Sequence, residues 1–220
     1  MSTIVNPFVD YLGRYTTASP DHEAAFDEFL AQAAAPAGGP LSLRTQVEDF
    51  LVECFQGPHP PSVILTGNAG DGKTYLCRQT IAAFTGYPLD DWDMIAGRSL
   101  ERDGIKLTVI KDLSELGEEH GAQSLQRLAA TLEDPNRAER FLIAANEGRL
   151  RYLLRRDRVL NNLHHLVDRQ LQQGADTSDR QLVVINLTET STASLVSKTL
   201  HWMTQPVHWS ECERCPINRR

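Results

Sequence analysis

Apolar residues along this chain alternate between short, mostly apolar runs and longer stretches in which they recur every three or four positions. The runs at 63–65 (VIL), 105–110 (IKLTVI), 141–145 (FLIAA) and 181–187 (QLVVINL) have the length and branched content of buried strands. Between them, helical spacing predicts one helix from Ser42, with Leu43, Val47, Phe50, Leu51, Cys54 and Phe55 on one stripe, ending at Gly57-Pro58. Tyr75, Leu76, Ile81 and Phe84 mark a second, and Leu125, Leu128, Ala129 and Leu132 a third over 121–133. The stretch 149–173, with Leu150, Leu153, Leu154, Leu160, Leu163, Leu166 and Leu171, is helical with a break near Arg158, and 191–203 is a final helix. Earlier, Ser19-Pro20 starts a helix whose face is Phe26, Phe29, Leu30 and Ala33, closed by the linker at 36–40. Residues 1–18 are weakly periodic, and 87–103 reads as an acidic, irregular connection with a faint strand at 93–96. Strands alternating with helices predict an α/β protein with a parallel sheet and right-handed crossovers.

The first strand runs into GNAGDGKT at 67–74, which satisfies G-x-x-x-x-G-K-[ST] in the strand-then-helix context that a phosphate-binding loop requires. Gly67, Gly70 and Gly72 stand where a Cβ would obstruct the turn or the ligand, and the following helix adds its positive N-terminal end. Lys73 suits the β- and γ-phosphates, and the Thr74 hydroxyl suits a Mg²⁺ position. The expected fold is therefore a P-loop NTPase, with Gly67, Asn68, Ala69, Gly70, Asp71, Gly72, Lys73, Thr74 and Tyr75 as the ATP-binding set. No role for Asp71 follows from the sequence. The expected organisation is an N-terminal helical segment and linker at 1–40, the ATPase core at 41–205 and a tail at 206–220.

Composition narrows this picture. A chain of 220 residues with 41% hydrophobic content buries one substantial α/β core and has no room for a second large domain. A net charge of -7 argues against attraction of the whole surface to nucleic acid. No apolar leader and no run of 18 apolar residues is present, so the expectation is a cytoplasmic protein without a membrane partner.

In an open parallel sheet, ligands bind at the carboxyl ends of the strands, so the first polar residues after each apolar run are the candidates for chemistry. Asp112 is a candidate Mg²⁺ ligand; Asn146 could hydrogen-bond the γ-phosphate or the attacking water, and Glu147 could polarise that water. Asp112 and Glu147 are alternatives as metal ligand and base, and each of the three also suits a turn or a helix start. Arg149, Arg151, Arg155, Arg156 and Arg158 crowd one stretch, open to three uses: nucleic acid phosphates, an arginine finger for a neighbouring subunit, or ion pairs with the protein's own acids. Cys212 and Cys215 form half of a Zn²⁺ site, with His208 a third candidate ligand and His201 a poorly placed fourth; the other reading is a frayed, reduced tail.

The motifs GNAGDGKTYLCR, VIKDLSE and FLIAANEGRL, with the terminal cysteine pair followed by Pro-Ile, resemble the P-loop ATPases of bacterial anti-phage systems. In particular the chain looks like the ATPase component of DNA phosphorothioation-dependent restriction, over roughly 40–217. The resemblance implies an AAA+ or STAND-like core that couples ATP hydrolysis to action on foreign DNA, as a homo-oligomer or with partner defence proteins. It also implies nucleotide and magnesium roles for Lys73, Thr74 and Asp112 and a sensor role for Asn146. Such ATPases continue into a helical lid with a second arginine sensor, and the interrupted cysteine motif is open to a reading in which the 220 residues are the front of a longer protein.

Overall fold

The computed structural model describes residues 6–13, 36–39, 41, 43–87, 99–134, 138–178, 181–189 and 192–214. The helix expected around Phe26 and the faint strand at 93–96 lie outside the described residues. The chain divides into two units, one of Gln46–Thr190 and one of Met1–Thr45 with Ser191–Arg220.

In the larger unit, β1 (Ser62–Thr66), β2 (Ser99–Arg102), β3 (Ile105–Ile110), β4 (Glu139–Ala145) and β5 (Leu182–Asn186) form a sheet of order β2-β3-β4-β1-β5. β1 pairs in parallel with both β4 and β5, and β3 pairs in parallel with β4. Successive side chains on a strand point to opposite faces, which sorts the core into two layers. Val63, Leu65, Val109, Leu142 and Val183 meet Leu51 and Phe55 of α2 (Gln46–Gln56) and Leu76, Ile81 and Phe84 of α3 (Lys73–Thr85). Ile64, Ile143, Phe141 and Val184 meet α4 (Glu118–Glu133), α5 (Glu147–Arg156) and α6 (Asn161–Gln173) on the other face. The result is an α/β unit with a mostly parallel five-stranded sheet flanked by helices.

Three local outcomes differ from the sequence expectation. The connection read as irregular up to residue 103 ends in a strand: β2 is antiparallel to β3, joined by Asp103 and Gly104, both at positive φ (52° and 77°). That is the two-residue turn that Asp-Gly favours in hairpins. α2 starts at Gln46 rather than Ser42, and α4 starts at Glu118 rather than 121. The expected break near Arg158 is present, as a 3₁₀ turn, Arg158–Leu160, begun by the Asp157 carboxylate accepting the Val159 N–H at 2.9 Å.

Two side chains tie this unit together. Arg102 donates to the carbonyls of Phe55 (2.6 Å), Phe84 (2.9 Å) and Gly57 (2.5 Å), joining the ends of α2 and α3 to the edge hairpin. Buried Gln170 donates to Leu182 O at 3.0 Å and accepts from Val184 N–H at 2.9 Å. Its amide thus completes the ladder of edge strand β5 as a neighbouring strand would.

In the smaller unit, α1 (Pro7–Gly13), α7 (Thr192–Met203) and a 3₁₀ helix (Pro206–Arg214) supply an aromatic cluster. The Phe8 ring stacks on His208 with centroids 4.0 Å apart and meets Trp202 edge-on at 5.1 Å. Within 206–214, read from the sequence as part of the tail, the chain forms this 3₁₀ helix, and His208 packs on Phe8.

Candidate functional site

Register places the candidate residues on one edge of the sheet. Thr66 lies opposite Ala145 of β4 and opposite Asn186 of β5, so Gly67, Asn146 and Leu187 leave the sheet side by side. Leu113 N–H donates to Ala144 O at 2.8 Å, extending the β3–β4 pairing past Ile110 and bringing Asp112 to the same edge.

The 67–74 loop turns through Gly70 (φ 86°) and Gly72 (φ 82°), left-handed conformations that a side-chain-bearing residue adopts only with strain. Gly67 is required for a different reason. A Cβ there would stand 2.7 Å from Asp71 Oδ2 and 3.2 Å from the Leu187 side chain. Helix α3 begins at Lys73, whose ammonium donates to Gly67 O at 2.9 Å and Asn68 O at 2.6 Å. An ammonium carries three N–H donors, so one remains for an anion. Asn68, Ala69 and Gly70 are exposed, as an accessible loop requires, whereas the Tyr75 hydroxyl donates to Glu48 Oε1 at 3.3 Å and its ring packs on the core. Cys77, one turn into α3, is fully buried, and burial pushes its thiol up to about 12 against a smaller opposing pull from Lys73. It stays a protonated core residue and has no nucleophilic use.

Asp112 Oδ1 accepts the Ser114 N–H at 2.7 Å, a turn-forming bond that leaves Oδ2 without a bond among the described residues. Asn146 caps α5: its Oδ1 accepts from Gly148 N–H at 2.9 Å and more loosely from Arg149 N–H at 3.4 Å. Its side-chain oxygen is thereby occupied, and the Nδ2 hydrogens are the donors it retains. Glu147 Oε1 accepts from Arg151 Nε at 2.8 Å, and Arg151 also pairs with Asp168 on α6. The hydrogen bond to Glu147 is the main cause holding the Arg151 guanidinium above its ordinary value, with the charges of Asp168 and Glu147 adding to it.

The arginine cluster resolves into paired and unpaired members. Arg149 donates to Leu116 O at 3.2 Å and lies 3.8 Å from Glu118, and Arg156 pairs with Glu118 directly. Arg155 and Arg158 are exposed and form no ion pair among the described residues. Arg155 lies in the last turn of α5 and Arg158 in the 3₁₀ turn beyond it, a helix length of about 15 Å from Asn146.

His208 is buried at 3% exposure, flat against Phe8 and close to Gly38, where a Cβ would lie 2.4 Å from its ring. Cys212 Sγ accepts from Asn6 Nδ2 at 3.2 Å. His201 is exposed on α7, and Cys215 lies outside the described residues. Among the described residues no group of three or more His, Cys, Asp or Glu side chains gathers to hold a metal ion.

The strand-end rule also points to a residue that the sequence reading passed over. Asn186, opposite Thr66 at the end of β5, accepts from Thr188 Oγ1 at 2.8 Å and donates to Glu189 at 3.1 Å. Reading 181–187 as one continuous strand hid it.

Comparison of the chain with protein-family models, with curated proteins and with solved structures finds no match. No helix among the described residues is long and apolar enough to cross a membrane.

Proposed function

We propose that the 67–74 loop binds the phosphates of ATP and that the sheet edge around it hydrolyses the nucleotide with Mg²⁺. The observation that carries this reading is the Lys73 ammonium held by the carbonyls of Gly67 and Asn68 at the start of α3. That arrangement presents an oriented cation, a helix N-terminus and exposed loop amides together, the chemistry an oligophosphate calls for. Lys73 and the amides around Gly70 and Gly72 would hold the phosphates, and the Thr74 hydroxyl with Asp112 Oδ2 would hold the metal, which supplies neutralisation of phosphate charge when bound. Asn146 offers Nδ2 donors to a phosphate oxygen or water. Glu147 is the candidate base once its carboxylate leaves Arg151.

Arg155 and Arg158 are the cluster members free to complete a neighbouring copy's site, since the length of α5 separates them from their own. The resemblance of GNAGDGKTYLCR and FLIAANEGRL to anti-phage ATPases supports the wider reading: turnover driving a DNA restriction complex in the cytoplasm, with DNA reached through partners rather than by this acidic chain itself. A second reading is a nucleotide-regulated binding module with little turnover. The engagement of Glu147 by Arg151 and of the Asn146 oxygen in a helix cap favours it.

Phosphate release from Mg-ATP by the purified chain, beside Lys73→Ala, tests the proposal. Release by the wild type alone supports hydrolysis; nucleotide binding without release supports the second reading.

A further inference from the structure

The sequence assigns no part to Asp71, yet the structure builds the loop around it. Asn68 N–H donates to Asp71 Oδ2 at 2.5 Å, and Asp71 N–H donates back to Asn68 O at 3.3 Å. The same Asn68 O accepts from Lys73 Nζ at 2.6 Å. The Asp71 bonds therefore fix the peptide units flanking Asn68, and the Asn68 carbonyl is one of the two that hold the lysine. The side chain also sits so close to Gly67 that a Cβ there would meet Oδ2 at 2.7 Å, making glycine at 67 and aspartate at 71 a matched pair. Asp71 forms no ion pair among the described residues, so its charge stands uncompensated beside amides and a lysine suited to an anion.

We infer that Asp71 is a positioning residue of the loop: it orders the Asn68 carbonyl that anchors Lys73, and its charge lowers the affinity of the loop for phosphate. The inference rests on the nucleotide reading of residues 67–74. The two effects separate by substitution. Asp71→Asn keeps an oxygen acceptor for the Asn68 N–H and removes the charge, so phosphate affinity rises. Asp71→Ala removes the acceptor as well, so the loop loosens and Lys73 loses its fixed carbonyl. One lost hydrogen bond corresponds to a change on the order of tenfold in affinity. An ordering brace without charge repulsion would give Asp equal to Asn, and a merely repulsive charge would give Ala equal to Asn.

The experiment is calorimetric titration of Mg-ADP into the wild type, Asp71→Asn, Asp71→Ala and Lys73→Ala. Amide hydrogen exchange across residues 67–72 is followed in parallel without nucleotide. The expected order of affinity is Asn above Asp above Ala, the Asn-to-Ala span exceeding about tenfold, with faster exchange in Asp71→Ala only. Equal affinity of Asp71→Ala and wild type, or exchange unchanged in Asp71→Ala, overturns the inference while leaving nucleotide binding in place. Absence of Mg-ADP binding by the wild type removes the nucleotide reading and this inference with it.

Discussion

Arg151 lies one helical turn beyond Glu147 and donates its Nε hydrogen to the glutamate's Oε1 at 2.8 Å. The carboxylate just past the carboxyl end of β4 is thus bound to its own helix, and Arg151 is itself held by Asp168 of α6. Any role of Glu147 as a base competes with this pair. With side chains 24% and 40% exposed, the pair holds Glu147 by no more than about 1 kcal/mol.

Glu147→Gln is accordingly expected to keep nucleotide binding and to lower turnover by roughly a hundredfold or more, the contribution typical of a general base. Arg151→Gln is expected to raise basal turnover by about two- to fivefold, because it releases an interaction of about that free energy. Single-turnover phosphate release by the two variants is the check. Unchanged turnover in Glu147→Gln takes that residue out of the mechanism.

Arg102 anchors three backbone carbonyls at the ends of α2 and α3 while its guanidinium lies 4.6 Å from the centre of the Phe84 ring. Arg102→Ala is expected to cost about 2–3 kcal/mol, since charged hydrogen bonds are lost and the stem no longer packs. Arg102→Lys recovers only part of this, because a single ammonium cannot span the three acceptors as a planar fork does. Urea unfolding of both variants measures the difference.

These two arginines mark what was legible in the chain. The four parallel strands announced themselves, because buried strands are mostly apolar, and the glycines of 67–74 marked the turn between β1 and α3. β2 did not, because an edge strand with alternating exposure carries no apolar run; its signal was Asp103-Gly104, the turn that pairs it with β3. The part played by Arg102 depends on helix ends brought near through the fold, which no local pattern encodes. The same holds for Phe8 and His208, which stack across 200 positions of sequence, and for Arg151, whose partner Asp168 lies on the next helix. Asp71 was visible as a residue but silent in role until its contact with Asn68 was seen.

Gln170 satisfies both Leu182 O and Val184 N–H at the β5 edge. Gln170→Met fills similar space and leaves those buried groups unpaired, at an expected cost of about 2–4 kcal/mol. The same variant bares a strand edge, so aggregation on partial unfolding is expected to rise. Denaturant titration with light scattering follows both effects.

Glu118 accepts a hydrogen bond from Tyr152 and pairs with Arg156, and these, with the more distant Arg149, hold its carboxyl below the ordinary carboxylate range. A carboxyl depressed in the folded state stabilises it above its unfolded value and loses that contribution as pH falls through the folded one. Wild type is therefore expected to melt above Glu118→Gln at neutral pH, with the gap closing below about pH 4. Thermal melts of the pair from neutral to acid pH test this; a gap that widens on acidification contradicts it.

The central claim is that the loop held by Lys73 binds nucleotide phosphates, and its most direct measurement is a titration of Mg-ATP into the wild type and Lys73→Ala at equal concentration. Saturable binding by the wild type, weakened about a hundredfold or more by loss of the ammonium that the Gly67 and Asn68 carbonyls orient, is the predicted result. Equal binding by the two, or none by the wild type, contradicts it.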